Sequence, residues 1–210
     1  QLKHTVANLG PNYVIESFLV GRLISFDGLV DKDGRVLHCT SHVYSDGILE
    51  VVTGRGHIHY YSERQIPQDL EEIGRATVRA FGMRGRFFHI EFFRLADGSL
   101  RALEVNMRPP GGFTTDLINF AADIDVYKLW ALMVTGGELP REPIARKYHV
   151  AHVSRRFHQS YALEDAQVLE RLGPMLLFHG PMSPALSLAM GDYVYLIRSE
   201  NLPEVTRAIA

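Results

Sequence analysis

The sequence predicts an α+β fold in which helices pack on an antiparallel sheet, and three observations support this. Asp-Gly pairs stand between apolar runs at Asp33-Gly34 and Asp97-Gly98. Such pairs are a strong short-range hairpin signal, because both positions of a tight turn need positive φ. Between and after these pairs, apolar residues recur at helical spacing in two stretches. Past "ELPREP", where charges and prolines interrupt all periodicity, β-like and helical segments alternate in a small α+β unit of its own. The expected division is residues 1–137 and 138–210.

In chain order, "YVIESFLVGRLISFDGLVDKDGRVL" reads as a strand, a joint at Val20-Gly21, a second strand, the Asp33-Gly34 hairpin and a third strand. "TSHVYSDGILEVVTGRGHIHYYS" continues as strand and loop, loosened by Gly54 and Gly56. Pro67 fits the first turn of a helix whose apolar face is Leu70, Ile73, Thr77, Val78 and Phe81, with Gly82 to close it. After the second hairpin and Pro109-Pro110-Gly111-Gly112 comes another helical stretch. Val126, Leu129, Trp130 and Met133 share one face of it, expected in the core, and Gly136-Gly137 stops it. In the tail, "YHVAHVSRRF" and "YVYLIRS" are β-like, while "LEDAQVLERLG" and "LPEVTRAIA" are helical.

Composition narrows the function classes. With 210 residues and 46% hydrophobic content the chain can bury a core of one large domain or one and a half. A net charge of −2 with scattered arginines carries no signal for nucleic acid or an anionic membrane. The single cysteine, Cys39, excludes an internal disulfide framework and suits a reducing cytosol. No membrane-length apolar run and no signal peptide is visible, so a cytoplasmic chain is expected. It starts at Gln1 without methionine, in what reads as the middle of an element, and is read as a fragment.

The chemistry concentrates in "HIEFFRLADGSLRALEVNMRPPGG", His89 to Gly112. With Asp97-Gly98 as a two-residue loop, Ala96 faces Ser99, Glu91 faces Glu104 and His89 faces Asn106. Phe88, Ile90 and Phe92 then share the other face with Leu103 and Val105, which is core and pins the register. Opposed Cβ atoms lie roughly 5 Å apart, where like charges destabilise the pair. Two partly buried carboxylates so close need a shared proton or a cation. Asn106 adds a neutral oxygen, and two carboxylates with an amide suit a hard cation, Mg²⁺ or Mn²⁺. Arg108 continues the same alternation, and metal plus arginine on one wall can hold a polyphosphate. A simply wet polar face is the plainer alternative. Four polar positions in register beside Arg-Pro-Pro-Gly-Gly favour the cation.

These residues resemble a known family. "HIEFF" followed by "EVNMRPPGG" is similar to the C-terminal half of the ATP-grasp fold of carboxylate–amine ligases and biotin carboxylase, over approximately Tyr13 to Gly137. The resemblance implies that Glu91, Glu104 and Asn106 hold magnesium bridging the ATP phosphates. It implies that Arg108 contacts the phosphoryl group or a substrate carboxylate. "VIESFLVG" is similar to the family's adenine hinge, which places Glu16, Ser17, Phe18 and Leu19 around the base; an ordinary buried strand is the alternative. Many members carry a ribose-binding glutamate two residues after the joint glycine. This chain has Leu23 there, and Asp27, on the same strand face, is expected to take that part. The family's N-terminal domain, lysine-bearing strand and Gly-rich lid have no counterpart before Tyr13, and Lys3 sits wrongly for the role. The segment alone is therefore expected to bind ATP poorly and to turn over nothing detectable.

By the same resemblance the reaction is ATP-dependent joining of a small-molecule carboxylate to an amine through an acylphosphate, catalysed with Arg108. Gly111 and Gly112, before the Thr114-Thr115-Asp116 helix start, offer backbone N–H groups to the substrate, or form a plain turn. A non-catalytic nucleotide-binding module and a biotin-carboxylase-like carboxylating enzyme are the alternatives, and the assembly admits a homodimer. His57-x-His59 lacks the partners of a tetrahedral zinc site and reads as surface or lid histidines, and "HCTSH" lacks such partners too. Cys39 has no visible base. Arg155-Arg156 reaches a substrate or closes an interface.

Overall fold

One antiparallel sheet runs through the molecule. The computed structural model describes residues 16–45, 47 and 57–210. Val14 and Ile15 of the expected hinge, Lys3 and the Gly54–Gly56 loop lie outside the described residues. The strands are β1 (Arg22–Val30), β2 (Val36–Tyr44), β3 (His59–Ser62), β4 (Arg86–Arg94), β5 (Leu100–Asn106), β6 (His149–Arg155), β7 (Leu176–Pro181) and β8 (Tyr193–Ser199). Their order is β5-β4-β1-β2-β3-β6-β8-β7, all antiparallel. The β3–β6 ladder carries the sheet across the 137/138 boundary, so both sequence segments share it.

Helices cover both faces of this sheet. They are α1 (Gln68–Ala80), α2 (Thr114–Ala122), α3 (Val126–Thr135), α4 (Asp165–Leu172), α5 (Pro184–Met190) and α6 (Leu202–Ile209). Against α1 lie Ile24, Phe26, Val43, Ile90 and Phe92, and farther along the same face Ala151, Tyr195 and Ile197 pack under α4 and α6. The opposite face sends Tyr60, Val150, Val194 and Leu196 against Leu117 and Met190, and Leu29 and Phe87 against Val126, Leu129 and Met133. Every residue of β1 after Arg22 is buried, as expected for a central strand covered on both sides. The α+β expectation holds.

Several local expectations needed correction. Residues 16–20 form no strand; Phe18 is 83% exposed and Val20 77%. Phe81 falls just beyond α1 and is 55% exposed, with Gly82 at positive φ behind it. Trp130 lies at the edge of the buried stripe of α3, not within it, and is 40% exposed.

Both Asp-Gly hairpins close with three-residue loops, not two. Leu95 N–H donates to Ser99 O at 2.9 Å and Gly98 N–H to Leu95 O at 2.9 Å; Asp31, Arg35 and Gly34 repeat the pattern at 2.9 and 3.1 Å. In each loop the glycine alone takes the left-handed conformation, with φ of 81° at Gly98 and 88° at Gly34. That is a type I turn followed by a left-handed glycine, the usual three-residue solution. Asp97 stabilises it by accepting the Ser99 N–H at 2.9 Å, an Asx turn, where a two-residue loop would need Asp97 itself at positive φ.

Candidate functional site

The longer loop shifts the β4–β5 ladder by one residue, and a bulge restores it. Near the turn Phe92 pairs with Ala102 and Arg94 with Leu100; beyond a shift between Glu91 and Phe92, Glu91 pairs with Glu104, Ile90 with Val105 and His89 with Asn106. Leu103 is the extra residue. It leaves the core face on which the sequence placed it and is 44% exposed. Glu91 and Glu104 are therefore opposed as expected, by a different route.

A cleft of about 790 Å³ opens beside this pair. It brings together Glu16, Ser17, Phe18 and Leu19 of the expected hinge with Glu91, Glu104, Arg108 and Gly111. Phe93 and Leu103 add apolar wall, Tyr44 and Tyr60 line the sheet side, and Met190 arrives from α5. The sequence reading missed these five. Phe93 was recoverable, since it stands two residues after Glu91 on one strand face. Met190 carries no local signal, because only the tertiary fold brings α5 to the hairpin.

The remaining expected residues lie differently. Asn106 is half-buried beside the cleft and does not line it; its amide nitrogen is buried without a partner among the described residues. Gly112 is also off the lining. It has a φ of 61°, and a Cβ there would meet the Met190 methyl at 2.7 Å, so its smallness serves packing against α5. Arg108 is exposed, and its guanidinium donates to Pro109 O at 3.0 Å. Arg156 caps the end of α5 by donating to the carbonyls of Ser187 and Leu188, at 2.5 and 2.7 Å.

Asp27 is the main correction. It is fully buried, with no surface for a ribose to reach. Its carboxylate accepts from Ser25 Oγ at 2.5 Å and is bonded to His42 Nδ1 at 2.7 Å and His89 Nδ1 at 2.5 Å. The ladders explain the convergence: Asp27 pairs with His89 across β1–β4, and His42 pairs with Ser25 across β1–β2, on the same sheet face. Burial alone would raise the Asp27 pKa, but the His89 charge and the hydrogen bonds from both histidines hold it below the usual carboxylate range. Burial likewise works against a charged His89, yet Asp27 and then Glu91 push it up to about 10. His89 Nε2 lies 3.4 Å from Glu91 Oε1, so the buried ion pair extends to the cleft wall. Burial and the nearby Asp27 charge raise the Tyr44 hydroxyl well above its ordinary pKa.

Glu91 and Glu104 offer the type of oxygen donor that a hard cation would take. Glu91 and Glu104 occupy directly opposed positions on the cleft, and Glu104 has no ion pair among the described residues. Among those residues no group of three or more His, Cys, Asp and Glu side chains gathers for a metal, so the set is two carboxylates with the Asn106 amide beside them. Oxygen donors of this kind match Mg²⁺ or Mn²⁺, not zinc.

Solved structures share the fold of this chain. The phosphoribosylaminoimidazole carboxylase ATPase subunit from Aquifex aeolicus matches with a TM-score of 0.67 at 16% identity, over 96% of this chain and 61% of that one. The L-amino acid ligase from Bacillus licheniformis matches with a TM-score of 0.67 at 15% identity, over 91% of this chain and 52% of that one. A biotin carboxylase from Campylobacter jejuni follows at 0.55 and 14%, over 91% and 45%. No family model and no curated protein matches the chain. The class these structures define is the ATP-grasp fold. This chain is a partial ATP-grasp fold, spanning about half to three-fifths of the length of the structures it matches.

Proposed function

We propose that this chain forms the metal and nucleotide wall of an ATP-dependent ligase that joins a small carboxylic acid to an amine. One observation carries the reading: Glu91 and Glu104 face each other across a β-ladder inside a cleft that also holds Glu16–Leu19 and Arg108. Glu91, Glu104 and Asn106 would hold Mg²⁺ or Mn²⁺, which supplies neutralisation of polyphosphate charge when bound. Phe18, Leu19, Phe93 and Leu103 give the apolar surface that a purine base requires, with backbone groups at Glu16 and Ser17 to pair with its edge. Arg108 orients an anionic acceptor, and Gly111 presents backbone to it at the start of α2.

In the proposed reaction an acceptor carboxylate oxygen attacks the γ-phosphorus, the bond to the β-phosphate oxygen breaks, and ADP leaves. The amine then attacks the acyl carbon, inorganic phosphate departs and the amine loses a proton. Arg108 holds the acceptor, and its fixed charge favours the extra negative charge of the transferring group. The site works in the cytoplasm on small molecules; a homodimer is compatible with it. Among the described residues no helix is long and apolar enough to cross a membrane.

The test is release of ADP and phosphate by the full-length protein across panels of acids and amines. Release that requires both an acid and an amine supports the ligase. Bicarbonate-dependent release in their absence identifies a carboxylating enzyme instead, a reading favoured by the structural matches whose names include a carboxylase. Nucleotide binding without release identifies a regulatory module.

A further inference from the structure

We propose that a second cavity, on the opposite face of the sheet, is a binding site for a small anion with an apolar or flat aromatic body. This rests on residues apart from the nucleotide cleft and stands independently of the ligase reading. Tyr44 pairs with Tyr60, Tyr60 with His152 and His152 with Leu196, so this row points to the cleft face. Val153 pairs with Tyr195 one residue on and points the other way. On that side β6 and β8, with α4 and α6 above them, enclose about 690 Å³, a volume suited to a small ligand.

The cavity is cationic. Arg155, Arg171 and Arg207 line it with His57 and His59, against one acidic side chain, Glu204. Glu204 is already engaged, accepting from Ser199 Oγ at 2.5 Å and Asn201 Nδ2 at 3.3 Å. None of the three arginines has an ion pair among the described residues. Arg155 is also pre-oriented: its guanidinium carbon sits 4.5 Å from the Tyr161 ring centroid and 5.7 Å from that of Tyr195. Tyr195 is in turn fixed by donating its hydroxyl proton to Asp165. A guanidinium that lies over aromatic rings keeps its in-plane N–H fork available for a carboxylate or phosphate.

Between the cations the wall is apolar, formed by Val153, Val168, Leu172, Met175 and Ile197. A bare inorganic anion would leave this surface wet, and a neutral hydrocarbon would leave the arginines without a counter-charge. An anionic head on an apolar body satisfies both. The site also accounts for two sequence features the cleft does not use, the His57-x-His59 pair and Arg155.

The test uses the full chain with ¹³C-methyl methionine, because Met175 lines this cavity and Met190 lines the cleft. The probes are 1-naphthyl phosphate and 2-naphthoate, with 2-naphthol as the neutral control. Saturable movement of the Met175 methyl with both anions, and at least tenfold weaker response to naphthol, is expected. Arg155→Gln should weaken the Met175 response about tenfold or more while leaving any Met190 response unchanged. Arg171→Gln, on the exposed side of α4, is the second variant should Arg155→Gln disturb the tyrosine stack, and the Met133 and Met182 signals monitor folding. No saturable Met175 response, equal binding of naphthol, or unchanged affinity in both folded variants would overturn the proposal.

Discussion

Asp27→Asn isolates the buried ion pair behind the cleft. The aspartate is fully buried and accepts three short hydrogen bonds, at 2.5, 2.5 and 2.7 Å, two of them involving imidazoles. Asparagine keeps the shape but offers one acceptor oxygen and turns an N–H toward the second histidine, so one contact becomes donor against donor. His89 is then left buried with Glu91 at 3.4 Å as its remaining anion. Hydrogen bonds to charged groups contribute about 1.5–3 kcal/mol each, and removing one partner of a buried pair costs about 3–5 kcal/mol. The variant should therefore lose about 3–5 kcal/mol. At about 2–4 °C per kcal/mol for a chain of this size, the melting temperature should fall by about 6–20 °C, read by circular dichroism at neutral pH. A loss below about 1 kcal/mol would show that Asp27 is not the charged centre of the network.

The same network sets a pH dependence. His89 is raised from 6.5 to about 10 in the folded protein, so its contribution is complete below pH 6.5 and disappears as pH rises through about 10. The lowered Asp27 pKa acts at the other end: its contribution is present above the ordinary value of 3.8 and is lost as pH falls through the depressed one. Urea unfolding should show falling stability from neutral to alkaline pH, and His89→Gln should flatten that slope. An unchanged slope in the variant refutes the assignment. Glu104→Gln keeps the ladder and removes one of the two facing carboxylates. Mn²⁺ binding in the presence of ATP, followed by electron paramagnetic resonance, should weaken at least tenfold in the variant; wild-type affinity would mean that the facing carboxylates are unnecessary.

Much of this architecture was legible in the sequence. Period-two alternation located β4 and β5, and the spacing of Leu70, Ile73 and Val78 located α1, because a single buried face imposes its period on the residues. The facing of Glu91 and Glu104 was inferred correctly from a wrong loop length, since the bulge at Leu103 cancels the residue added by the turn. Neither event has a distinct signature: Asp-Gly serves two- and three-residue loops, and a bulged leucine reads like a core leucine. Asp27 was misplaced because alternation gives the face of a residue but not its depth. On a central strand that face is buried, and His42 and His89, far apart in sequence, take the carboxylate. Tyr60 and Met190 could not be assigned to the cleft from sequence at all, since each comes from an element that only the sheet order and helix packing bring there.

Crystals of the full-length protein grown with Mn²⁺ and a non-hydrolysable ATP analogue, measured at a wavelength where manganese scatters anomalously, address the central claim most directly. The account predicts an anomalous peak between the Glu91 and Glu104 carboxylates, about 2.0–2.2 Å from an oxygen of each, against the phosphates of a nucleotide whose base lies beside Phe18 and Leu19. Manganese bound elsewhere, or the two glutamates turned away from an occupied nucleotide, would contradict it.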